Sequence, residues 1–97
     1  MAEYRFSPRA QQDLDEIFDY TATQWGLQQA LSYTEVIEVA CFNLAVEPMH
    51  AQDCSYIRRG YRRKSVEQHV IYFHLVNDGS IEIIRILHQR MEAIRRL

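Results

Sequence analysis

From Ile81 to Leu87 the chain is apolar at almost every position, with only Glu82 and Arg85 breaking the run. A strand with one wet face would alternate, so this run predicts a β-strand covered on both faces and central in its sheet. It passes at once into a basic tail containing His88, Arg90 and Met91. A central strand followed so closely by the last residues puts its final side chains at the rim of the core, within reach of a partner. A second apolar strand is expected over 69–76, joined to the first by the turn Asn77-Asp78-Gly79. Ser55-Tyr56-Ile57-Arg58-Arg59 and Arg62-Arg63-Lys64-Ser65-Val66 carry strand signals on either side of Gly60-Tyr61, a candidate hairpin turn. Tyr4-Arg5-Phe6 is a further short strand.

Helical spacing fills the segment between. Ser7 is a capping residue and Pro8 suits the first helical position, where its missing N–H costs nothing. Ala10, Leu14, Ile17, Phe18 and Thr21 then fall on one stripe that ends at Gly26. A second helix is expected over 27–45, with Ala30, Tyr33, Ile37, Ala40, Cys41 and Leu44 on one face, and Glu47-Pro48 stops it. The short link predicts a helical hairpin, in which Trp25 and Tyr33 are packing residues. Residues 49–55 read as a polar loop, and residues 91–97 as one or two helical turns. The order β-α-α-β-β-β-β is that of an α+β fold, a helical hairpin on a mainly antiparallel sheet.

Ninety-seven residues fit one domain, 1–97. With 47% hydrophobic and 25% charged residues the chain is an ordinary globular one rather than a disordered one. No apolar run reaches membrane-spanning length and Met1-Ala2-Glu3-Tyr4-Arg5 lacks a signal-peptide core, so a cytoplasmic location is expected and no membrane partner. Cys41 and Cys54 share no metal-ligand spacing, and Cys41 reads as a small core residue. The net charge of −2 divides into −6 over residues 1–50 and +4 over 51–97. An acidic and a basic face follow, the latter open to an acidic partner, protein or nucleic acid.

His50, His69, His74 and His88 have no zinc-like spacing, and the three glycines are isolated, so neither a metal site nor a phosphate loop is expected. No cofactor is implied. Asp13, Asp15 and Glu16 read as the solvated face of the first helix. Arg58, Arg59, Arg62, Arg63 and Lys64 form a basic cluster that is either a solvated hairpin edge or a binding surface. Arg85 interrupts an apolar strand and needs either an acid from the hairpin or an open groove.

Taken in order, several pieces resemble the ParE branch of the RelE/ParE toxin superfamily. They are Tyr4-Arg5-Phe6-Ser7-Pro8 with Ala10, Asp13 and Leu14; Tyr20 to Gly26; Gln29-Ala30 with Tyr33; and Leu44-Ala45 before Pro48. They continue with Ile57-Arg58, Gly60-Tyr61-Arg62-Arg63, His69-Val70-Ile71-Tyr72-Phe73, and Ile83 to Met91. Glu92 and Phe73-His74 depart from the usual pattern. The resemblance implies the toxin half of a type II toxin–antitoxin pair, with a ParD-like antitoxin wrapping it and DNA gyrase as its target. It implies a non-enzymatic protein without sequence-specific nucleic-acid binding. Partner contacts are then expected at Arg58, Arg59, Arg62, Arg63, Arg85, His88, Arg90 and Met91, with no catalytic residue. The alternative within the superfamily is a RelE-like ribosome-dependent messenger RNA endoribonuclease. In that case Arg62, Arg63 and Arg85 would stabilise the phosphate and His88 would act as general acid.

Overall fold

Ser7 sets where the first helix begins. The computed structural model describes residues 3–97. In it Ser7 has extended backbone, and its Oγ accepts from the Ala10 amide at 3.0 Å. Helix α1 (Pro8–Trp25) runs to Gly26, whose φ of 97° lies where residues with a Cβ are strained. The Gly26 N–H donates to the Ala22 carbonyl at 2.9 Å, and its carbonyl accepts from Ala30 N at 3.1 Å. One residue thus closes α1 and opens α2 (Leu27–Val46), which folds the two helices into a hairpin. Glu47 and a 3-10 turn at Pro48–His50 follow, as the proline requires.

The sheet holds β1 (Tyr4–Phe6), β2 (Gln52–Asp53), β3 (Arg62–Val66), β4 (His69–Leu75) and β5 (Ile81–His88), in the spatial order β1-β5-β4-β3-β2. β1 runs parallel to β5, and every other pair is antiparallel. Two apolar layers result. Ile71, Phe73, Ile81, Ile83 and Ile86 meet Leu14, Ile17, Ile37, Cys41 and Leu44 of the hairpin. On the other face Val70, Tyr72 and Leu87 pack with Cys54. That face is covered by Ile57 and Tyr61 from the segment 54–61, and by Ala93 and Leu97 from the last residues. β5, flanked by β1 and β4, is therefore buried on both sides, as its nearly continuous apolar run requires. A short helix α3 (Ala93–Arg96) ends the chain. No helix among the described residues is long and apolar enough to cross a membrane.

β5 carries a bulge at Ile84: Tyr72 pairs with Arg85, whereas Phe73 pairs with Ile83. The extra residue shifts the alternation, so Ile83 and Ile86 both face the helices. β1 reaches only as far as Ile83, and the start of α1 occupies the edge beyond it. Ser7 donates from its backbone to the Ile83 carbonyl at 2.9 Å and from Oγ to the Ile84 carbonyl at 2.8 Å. Ile86 N donates to Asp13 Oδ2 at 2.9 Å.

Three expectations are corrected. Residues 55–59 form no strand. Asp53 Oδ1 accepts from Ser55 N at 2.8 Å and Cys54 N donates to the Tyr61 carbonyl at 2.9 Å, which closes 54–61 into a loop containing Gly60 at φ 83°. The strand expected there is instead β2, inside the supposed polar loop. Asp13 does not belong to a solvated face, being 8% exposed. Trp25 does not pack in the hairpin but is 74% exposed, one turn past Thr21, the last buried residue of α1.

Candidate partner-binding surfaces

Arg62 and Arg63 are neighbours on β3, so their side chains leave opposite faces of the sheet. Arg62 lies on the helix side, where its Nη1 donates to the Ala51 carbonyl at 2.8 Å. Arg63 stands over the Tyr72 ring on the other side, 5.7 Å from its centroid. Lys64 returns to the helix side and lines an open cavity of about 240 Å³ with Ala40, Leu44, Glu47 and His50. Arg58 and Arg59 are exposed on the 54–61 loop. The basic cluster of the sequence is thus divided among two faces and a loop. β2 pairs only with Arg62 and Arg63, which leaves β3 an open edge over 64–66.

Of the eight expected contact residues, Arg85 alone is buried. Its Nε and Nη2 donate to Asp13 Oδ2 and Oδ1 at 2.8 and 2.9 Å, a two-pronged pair across 72 residues of sequence. Its remaining arm, Nη1, donates to the Arg96 carbonyl at 3.1 Å. These hydrogen bonds to Asp13 raise the Arg85 pKa further above its usual value, so the guanidinium stays charged. The hairpin supplies the acid that the sequence demanded. Arg85 thereby fastens α1, β5 and the C-terminal arm together.

His88 faces His69 across β4 and β5, with ring centroids 5.4 Å apart. Tyr33 Oη lies 2.7 Å from His69 Nδ1 and accepts from Gln68 N at 3.3 Å. The tautomer of the His69 ring decides which of the two groups donates in that contact. Burial first, and then His88, lower the His69 pKa to about 4, with Asp13 opposing. His88 Nδ1 accepts from Arg90 N at 3.1 Å, which fixes the turn into the arm. Arg90 and Met91 are exposed on that arm and line an open groove of about 600 Å³ with Arg9, Arg95 and Arg96.

Arg9, Arg95 and Arg96 were not singled out in the sequence, and Asp13 was read only as part of a solvated helix face. Their roles depend on β1 lying parallel to β5, which brings the start of α1 to the end of the chain; no local spacing signals that. Among the described residues no three His, Cys, Asp or Glu side chains converge on a metal position.

The hairpin offers a different surface. Leu31, Val39, Phe42 and Val46 on the outer side of α2 are each about half exposed, and Tyr20, Trp25 and Leu27 crowd the tip. Exposed apolar side chains grouped on one helix face have the chemistry of a protein-binding surface.

Residues 4–93 match the family model described as the ParE toxin of the type II toxin–antitoxin system parDE. Toxin ParE1 of Mycobacterium tuberculosis is 38% identical over 96 residues, covering 99% of this chain and 98% of the relative. Toxin ParE1 of Caulobacter vibrioides is 38% identical over 93 residues, covering 96% and 95%. A solved structure titled as the chromosomal ParDE system of P. aeruginosa shares the fold with a TM-score of 0.78 and 22% identity, over 91% of this chain and 96% of that one.

Proposed function

The chain belongs to the ParE toxin family of type II toxin–antitoxin systems, and from that premise we propose that it inhibits DNA gyrase by binding rather than by catalysis. The proposed contact surface is the C-terminal arm with the basic loop beside it. A ParD-like antitoxin holds the protein silent in the cytoplasm. The observation that carries the binding reading is the Arg85–Asp13 pair. A guanidinium that meets phosphate charge as it develops must be free, and of the three candidate arginines Arg85 already has both prongs on a carboxylate and Arg62 is held by the Ala51 carbonyl.

The antitoxin reading rests on three features of the helix side. The outer face of α2 offers apolar anchoring sites, the cavity beside Lys64 accepts one side chain, and the edge at 64–66 can take an added strand. Acidic residues of the antitoxin would meet Arg62 and Lys64.

Expression without an antitoxin, followed by supercoiling and cleavage assays with purified gyrase, tests the proposal. Growth arrest with filamentation and inhibited supercoiling is the expected result. Growth arrest with gyrase untouched and messenger RNA cut would replace it with the ribonuclease reading.

A further inference from the structure

The groove between the first turn of α1 and the C-terminal arm is lined mainly by guanidinium groups. Two of the five are already partnered: Arg85 by Asp13, and Arg95, whose Nε is 3.0 Å from Glu92. Among the described residues no carboxylate lies within 4 Å of Arg9, Arg90 or Arg96. Three unpaired positive charges therefore gather from two ends of the chain, and together they attract an anion.

We propose that this groove binds the sugar–phosphate backbone of duplex DNA without regard to base sequence. Guanidinium forks match phosphate oxygens in pairs, and backbone contacts of this kind position a protein without reading bases. Met91 is the one apolar residue of the lining, which offers no pocket for the apolar anchors of a peptide partner. The lining also has no aromatic ring on which unpaired bases would stack. Arg85 has a positioning role here: by holding the Arg96 carbonyl it keeps the arm, with its arginines, against α1.

The inference deepens the gyrase reading, since gyrase works on DNA, and rests on it for its place in the cell. Its test is independent of gyrase. The full chain is titrated into a short fluorescent DNA duplex, and anisotropy is followed as salt is varied. Weak binding is expected, with log K falling against log salt at a slope of about −2.7 for three phosphates. Arg90→Glu with Arg96→Glu should weaken binding by about tenfold or more at low salt, and Arg90→Lys with Arg96→Lys should largely retain it. Both side chains are exposed, so the fold survives, as thermal melting checks.

An absence of duplex binding by the wild type, or equal binding by the glutamate variant, would overturn the proposal. So would tighter binding of a polyglutamate peptide than of the duplex, which would make the groove a peptide site. DNA binding with gyrase unaffected would remove the gyrase reading alone; gyrase inhibition without DNA binding would remove this inference alone.

Discussion

At the scale of single residues, Asp13 does the most with the least exposure. Its two oxygens accept from Arg85 Nε, Arg85 Nη2 and Ile86 N. Asp13→Ala would strand a buried guanidinium and a strand-edge amide, and should cost about 3–5 kcal/mol in urea unfolding. Asp13→Leu with Arg85→Met should recover all but about 1–2 kcal/mol, because the Ile86 amide still lacks an acceptor. A double variant no better than Asp13→Ala would show that the pair itself, and not the stranded charge, carries the stability. His69 sets a pH dependence. Its folded pKa is depressed to about 4 from the ordinary 6.5, so the unfolded chain binds the extra proton first as pH falls. The stability it contributes is full above pH 6.5 and is lost between there and 4. The loss should be about 1–2 kcal/mol once screening at a partly exposed ring is allowed for. Melting curves across that range measure it, and His69→Gln should flatten the slope; an unchanged slope would place the titrating group elsewhere.

At the scale of elements, the joint between the helices rests on one conformation. Gly26 combines φ 97° with ψ 164°, a region essentially reserved for glycine, while no atom lies within 4 Å of a Cβ built there. The cost of Gly26→Ala is thus backbone strain alone, about 1–3 kcal/mol by chemical denaturation; a neutral result would mean that the joint rearranges freely. Elements like this one were legible in the sequence because their signals are local. Ser7-Pro8, Gly26 and Pro48 bracket both helices, and the apolar run after Ile81 announced a strand buried on two faces. The 55–59 segment misled because Ile57 caps the far face of the sheet from a loop, while its β-prone neighbour Tyr56 stands exposed. Asp53-Cys54-Ser55 was the available signal, an Asx turn at the end of a two-residue strand. The basic groove lay beyond any local signal, since Arg9 and Arg96 are brought together by the parallel pairing of the first and last strands. Arg85 was half legible: its need for an acid was plain, but the choice of Asp13 over Asp15 or Glu16 depends on the α1 face turned to β5.

At the scale of the whole molecule, charge and apolar surface are sorted onto separate sides. No lysine or arginine occurs between residues 10 and 57, so the outer face of α2 is apolar and acidic, whereas arginine supplies five of the seven residues lining the groove at the C-terminal arm. Two surfaces of such different chemistry suit two partners, and their separation makes toxicity and neutralisation independently mutable. Phe42→Asp puts a charge where an apolar anchor would seat, and removing one such central contact typically costs about 2 kcal/mol or more of binding. Affinity for the antitoxin should therefore fall by about thirtyfold, converting at about 1.4 kcal/mol per tenfold, while gyrase inhibition stays at the wild-type level. Arg90→Glu with Arg96→Glu should do the reverse, abolishing inhibition while the antitoxin still binds through α2 and the β3 edge. Calorimetry with the cognate antitoxin and a supercoiling assay on the same two preparations separate the outcomes. If Phe42→Asp lost both functions with its melting point intact, the partners would share one surface, and neutralisation would be direct occlusion of the toxic site. If each variant loses only its own function, an antitoxin seated on α2 must reach the arm by extending around the sheet, whose β3 and β1 edges lie at opposite ends of the strand order.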